Sequence, residues 1–129
     1  MQKLRDLDFA ILTVTTPGTA TINPSTDNLS TTGGVILLTG SPRAAQYRLT
    51  MAGLTLLVLI NIPTAPVTLT RIGGTQTMTV SNWTLEGRRL LILPRAGAYD
   101  FRVGGRLNVG ANQAEGTYVG TFDVTADYL

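Results

Sequence analysis

The chain has 129 residues, no cysteine and no histidine, and only 14% of it is charged. Without thiols and imidazoles it offers no zinc finger, iron–sulfur ligand set, thiol nucleophile or Ser-His-Asp triad. Ten basic against eight acidic residues leave a net charge of +2; Arg88-Arg89 is the one adjacent basic pair, so nucleic-acid binding is unsupported.

The length predicts a single domain over 1–129. Thr is about one residue in six, and 14 Gly with 6 Pro supply turns, a composition that favours an all-β chain. At the start, Asp6 and Asp8 interrupt what would be the apolar region of a signal peptide. The most apolar window, Leu54 to Ile62, is about nine residues against the ~20 needed to cross a bilayer, so no membrane span is expected.

In chain order, Leu7, Phe9 and Ile11 alternate with Asp8 and Ala10, and Pro17-Gly18 is expected to break that run. Thr19 to Ile22 forms a short strand closed by Asn23-Pro24. The polar stretch Ser25 to Gly34 reads as the longest loop, Val35 to Leu38 as a strand, and Gly40-Ser41-Pro42 as a turn. Ala45, Tyr47, Leu49 and Met51 alternate cleanly with polar residues. Leu54 to Ile62 is apolar on both faces and predicts a central strand or one covered on each side, ended by Pro63 and Pro66. Val67–Leu69 and Met78–Val80 flank a Gly73-Gly74 hairpin loop, with Trp83 and Leu85 continuing the second arm. Leu90 to Leu93 follows Gly87, and Pro94 to Gly97 turns. Tyr99, Phe101 and Val103 alternate with Asp100 and Arg102 before Gly104-Gly105 is expected to turn into Leu107 and Val109. Short strands at this spacing predict an antiparallel β-sandwich with no helix of useful length.

Catalytic chemistry finds little footing. Asp6 and Asp8 share one face of their expected strand, as do Asp123 and Asp127, but charge on an exposed edge explains both pairs. No loop carries calcium-ligand spacing. No enzyme, metal or cofactor is expected. Trp83 with Tyr99 is the candidate for an exposed aromatic platform, the feature a carbohydrate-binding or adhesive module would need.

The last segment is the informative one. Tyr118, Gly120, Phe122, Val124, Ala126 and Tyr128 form an apolar face alternating with Val119, Thr121, Asp123, Thr125 and Asp127. This predicts one eleven-residue strand to the end of the chain. Tyr128 is penultimate, and Gly116 stands fourteenth from the C-terminus (129 − 116 + 1). These spacings resemble the C-terminal signature of chaperone–usher pilins. The resemblance implies an immunoglobulin-like sandwich lacking one strand, with an open groove beside the last strand. A periplasmic chaperone fills that groove first, and a donor strand of the next identical subunit replaces it at the outer-membrane usher.

A second resemblance spans nearly the whole chain. Leu7-Asp8-Phe9, Gly18-Thr19-Ala20-Thr21-Ile22, Gly104-Gly105-Arg106-Leu107-Asn108-Val109, Gln113 to Tyr118 and Gly120 to Thr125 are similar to the bacterial secreted family of unknown function DUF4402. That family is pilin-like, which implies export through the periplasm to the cell surface. Ala10 departs from its pattern, which has Gly after the Leu-Asp-Phe run. Together the resemblances imply a structural subunit of a surface fimbria, with Gly116, Tyr118, Gly120, Phe122, Val124, Ala126, Tyr128, Leu7, Phe9 and Ile11 at the donor-strand groove. The donor is then either Leu4 to Val14, whose Leu7, Phe9 and Ile11 have the needed alternation, or a segment upstream of Met1. The alternative function is a secreted β-sandwich binding module.

Overall fold

A computed structural model describes residues 1–51, 56–93, 97–111, 113–119 and 121–128. They form eleven strands: β1 Gln2–Arg5, β2 Ile11–Ile22, β3 Leu29–Thr39, β4 Ala45–Met51, β5 Leu56–Asn61, β6 Val67–Arg71, β7 Thr77–Glu86, β8 Leu90–Leu93, β9 Gly97–Val109, β10 Tyr118–Val119 and β11 Thr125–Tyr128. No helix occurs among the described residues, every pairing is antiparallel, and the arrangement is sandwich-like. One sheet has eight strands along the path β1-β4-β9-β7-β6-β10, with β2 paired to both β9 and β3. The other has three, in the order β11-β5-β8. The apolar run containing β5 is therefore central in its sheet, as its composition predicts.

β9 organises the large sheet. One edge pairs with β7; the other pairs with β4 over Gly97–Val103 and then with β2 over Arg106–Val109. Gly104 and Gly105, expected to turn, instead lie inside this strand and are buried. A Cβ on Gly104 would stand 2.4 Å from the Ile22 carbonyl oxygen, and one on Gly105 would stand 2.9 Å from Val80 Cγ1. The pair is there because neighbouring segments of the chain approach too closely for side chains, not because the backbone reverses.

Pro17-Gly18 does not break β2 either. The register slips between Val14 and Gly18, so Thr15, Thr16 and Pro17 stand opposite Gly34 in a bulge. Proline lacks an N–H, and a bulge is where a strand tolerates that loss. The bulge bends the β2–β3 hairpin, since Leu12 and Val35 from one half pack in the same cluster as Ala20 and Ile22 from the other. The expected loop from Ser25 to Gly34 is short: β3 already begins at Leu29. Its threonines pair with those of β2, Thr19 and Thr32 joining their hydroxyl oxygens at 2.7 Å. Cross-strand Thr pairs make a polar sequence a strand without any apolar alternation to announce it.

Two core clusters result. The first holds Phe9, Leu12, Ala20, Ile22, Val35, Ala44, Met78, Val80, Leu107 and Val109. The second holds Ala45, Tyr47, Leu49, Val58, Ile60, Leu91, Phe101 and Val103. Among the described residues, the buried side chains of the three-stranded sheet, Val58, Ile60 and Leu91, are all in the second, so that sheet covers only part of the large one.

Asp27 ties the N-terminal strand to this frame. Its φ is +62°, its Oδ1 accepts the Ala44 N–H at 2.9 Å, and Oδ2 lies 3.3 Å from the Arg5 guanidinium and 3.8 Å from that of Arg102. Burial alone would raise its pKa. The Ala44 N–H and the two guanidinium groups outweigh that, and the carboxyl titrates below its usual 3.8. A depressed carboxyl contributes stability above its unfolded pKa and loses it as pH falls through the folded one. Asp27→Asn, which keeps the left-handed backbone and an acceptor for Ala44, is expected to cost about 1 kcal/mol at pH 7. In urea titrations that difference should shrink below about pH 3.8. Gly104→Ala is expected to lower stability by roughly 1–3 kcal/mol in the same measurement, because the Ile22 carbonyl cannot yield without shifting β2.

Candidate functional site: an apolar groove between the two ends of the chain

The part of the large sheet left uncovered by the small one lies beneath a cavity of about 500 Å³. Its apolar lining comes from four strands: Leu12 and Val14 of β2, Leu69 of β6, Met78, Val80 and Trp83 of β7, and Leu107 and Val109 of β9. Chain on two sides borders it: Leu7–Ala10 before β2, and Gln113–Ala114, Gly116–Tyr118 and Thr121–Val124 on either side of and within β10. Charge is confined to Lys3, Asp6, Asp8 and Asp123, all exposed. Asp6 pairs with Lys3, and Asp8 Oδ1 accepts the Ala10 N–H at 2.7 Å. Neither aspartate belongs to a strand of the sheets, so they are not the strand-face pair the sequence suggests; Asp8 makes only an isolated bridge to Arg43.

Backbone pairing is incomplete on both sides of the cavity. β2 pairs with β3 along one edge, but along the other its partner β9 extends only from Gly18 to Thr21. The described residues give Ile11–Pro17 no neighbour on that second edge. Across the cavity, Thr121–Val124 lie outside every strand. The expected single strand from Tyr118 to Tyr128 is thus divided. β10 pairs with β6 of the large sheet and β11 with β5 of the small one. An extended segment passing from one sheet to the other must leave both ladders in between, and that passage borders the cavity.

The alternation nonetheless holds through the passage. Phe122, Val124 and Ala126 are half-buried against the second cluster, while Thr121, Asp123, Thr125 and Asp127 are exposed. Phe122 packs against Trp83 with ring centroids 4.7 Å apart and the planes tilted by 37°. Asn82, with φ +51°, sits in the β7 bulge that opposes Gly105 and precedes Trp83. The indole N–H donates to the Ala65 carbonyl at 3.1 Å, and the ring touches both clusters. Tyr99 stacks instead on Phe101, and its hydroxyl accepts the Arg88 N–H at 2.7 Å. The aromatic partner of Trp83 is Phe122, not Tyr99.

Tyr118 packs on the first cluster; its hydroxyl donates to the Ala114 carbonyl at 2.7 Å and accepts from Gln113 Nε2 at 2.9 Å. This latch fixes the loop before β10. Gly116, φ +146°, lets the Arg71 side chain lie where a Cβ would be, Nε 2.7 Å away, and that Nε donates to the Glu115 carbonyl. On the opposite wall, Leu7 is half-buried against both clusters and Phe9 is buried, whereas Ile11 is half-buried and lines no part of the cavity. The strict alternation read through these three residues fails at Ala10, whose φ is +63°; the kink brings Leu12, not Ile11, into the core after Phe9. Leu12 and Val14, absent from the sequence reading of the site, carry that wall, and the signal that would have found them is the residue standing where a glycine is expected. Gly120 and the Tyr128 side chain lie outside the described residues. Tyr47 closes the floor; burial first, and the Asp6 charge second, push its phenol up to about 12, so it is neutral at any physiological pH.

The model of the family described as Domain of unknown function (DUF4402) matches residues 1–128, and the chain belongs to that family. No curated protein and no solved structure matches it significantly. A left-handed alanine costs roughly 1–2 kcal/mol, part of which glycine gives back through its freer unfolded chain. Ala10→Gly is therefore expected to raise the thermal-unfolding free energy by about 0.5–1 kcal/mol, measured by calorimetry.

Proposed function

We propose that the protein is a structural subunit of a bacterial surface filament, secreted through the periplasm and assembled by donor-strand exchange between identical copies. The observation that carries this reading is the cavity with unpaired backbone on two sides. An extended strand laid there would take hydrogen bonds from Ile11–Thr16 on one side and Thr121–Val124 on the other. Its apolar side chains would fill the space over Met78, Val80 and Leu107. Strand addition works in this way: main-chain bonds supply affinity, and alternate side chains in pockets supply specificity. A periplasmic chaperone and an outer-membrane usher are the partners this assembly needs, because an unfilled groove of this kind is an aggregation hazard before polymerisation.

Of the two donors the sequence leaves open, the fold favours one outside Leu4–Val14. Leu4 and Arg5 belong to β1, Phe9 and Leu12 are buried in the first cluster, and Ile11–Val14 pair with β3. Residues spent on their own domain are poor material to donate, which weighs against Leu4–Val14 as the donor. The packing of Phe122 against Trp83 weighs against the alternative of an exposed aromatic sugar platform. No catalytic, metal or cofactor role enters this reading.

Phe122→Asp places a charge on the groove wall, and electron microscopy of cells producing it should show filaments lost. Thermal melting of the purified variant separates this from misfolding. Wild-type-like filaments from a folded Phe122→Asp protein would overturn the reading.

A further inference from the structure

The strands that end the two sheets are not protected alike. A free edge offers unpaired N–H and C=O groups to any extended chain, and soluble proteins blunt such edges by shortness, charge or proline. β1 has four residues with Lys3 and Arg5 among them; β10 has two residues; β11 has four including Asp127; β8 has four, directly after Arg88-Arg89. β3 has none of these three protections, and the one irregularity in its last part is a bulge at Leu38, the extra residue between the Leu12–Leu37 and Ile11–Thr39 pairs. It runs eleven residues, Leu29-Ser-Thr-Thr-Gly-Gly-Val-Ile-Leu-Leu-Thr39, without one charge or proline, and its only partner among the described strands is β2. Its last part is also apolar outside the core: Ile36 is 56% exposed, Leu37 40% and Leu38 53%. They are consecutive, so the exposed apolar surface wraps both faces of the edge.

We infer that the Val35–Thr39 edge of β3 is a self-association surface, on which a second copy of this chain pairs antiparallel with the same segment about a two-fold axis. The segment's own chemistry selects that occupant. A two-fold antiparallel pair sets the same strand against itself. Self-pairing brings like charges together in most strands, but none are present here, and with the axis at Leu37 that residue meets its own copy while Ile36 meets Leu38. A charged peptide would find no complement along the strand. The remaining edge residues, Ser30, Thr31 and Thr32, are exposed and compatible with cross-strand hydroxyl pairs. This surface is on β3 and is separate from the groove, whose wall is formed by β2 and the C-terminal segment, so the inference does not depend on donor-strand exchange.

The test is the mass of the purified chain by sedimentation equilibrium between about 1 µM and about 1 mM. The wild type should rise with concentration from 13.7 kDa toward twice that mass. Ile36→Lys with Leu38→Lys, both at exposed positions, should hold the chain at the monomer mass with an unchanged circular-dichroism spectrum and melting temperature. Phe122→Asp should dimerise like the wild type, which separates this surface from the groove. Because the chain has no cysteine, Leu37→Cys gives a second reading: oxidation should cross-link it as a dimer, while Thr75→Cys, on the distant β6–β7 turn, should not. A wild type monomeric throughout the range, a double variant that associates as the wild type does, or equal cross-linking at both cysteines would each overturn the inference.

Discussion

Everything distinctive in this molecule follows from a mismatch between its two layers. An eight-stranded sheet presents more apolar surface than a three-stranded sheet can cover. Over the second cluster the cover is complete enough to bury Val58, Ile60, Phe101 and Val103 fully. Over the first, cover comes from the bent end of the β2–β3 hairpin and from chain segments outside the sheets, and these leave a cavity of about 500 Å³. Leucine, valine and methionine side chains there face a partly open groove instead of a packed neighbour, and the contacts a close-packed interior would supply are missing.

Where strands cross between partners, the chain uses small residues and bulges instead of loops. Gly104 and Gly105 sit where β9 exchanges β4 for β2, and the bulge at Thr15–Pro17 bends the hairpin that walls the cavity. The Asn82 bulge precedes Trp83, the side chain that joins both clusters and meets Phe122. Each device lets a long strand serve two neighbourhoods. The same economy divides the C-terminal segment between the sheets and leaves its middle without a ladder.

Turn residues misled the sequence reading for a single reason. Pro-Gly and Gly-Gly mark either a reversal or a crowded, irregular point within a strand, and periodicity alone does not separate the two. At Gly73-Gly74 the reversal is real, since Leu69 and Met78 pair across it. At Gly104-Gly105 the nearest atoms belong to Ile22 and Val80, residues about 82 and 25 positions away in sequence, which no local pattern contains. The threonine-rich part of β3 was hidden differently: it is exposed on both faces, so the contrast that normally betrays a strand is absent. In the site, Tyr118, Phe122, Val124, Leu7 and Phe9 were legible as an apolar face, whereas Leu12 and Val14 were not, because one left-handed residue shifts the phase between them.

The absence of thiols, imidazoles and charge stripes, the β-rich composition, the single domain-sized length and the apolar alternation near both ends belong to the sequence by itself. They sufficed for an all-β antiparallel chain, because side-chain type and period act locally and are written residue by residue. The partition into eight strands and three, the switch of the last segment from one sheet to the other, and the cavity left between the chain's two ends were decided only in the tertiary structure. They depend on which strands meet across long separations, and that is settled by close approach of backbones and the balance of buried area, quantities that exist only once the layers are packed.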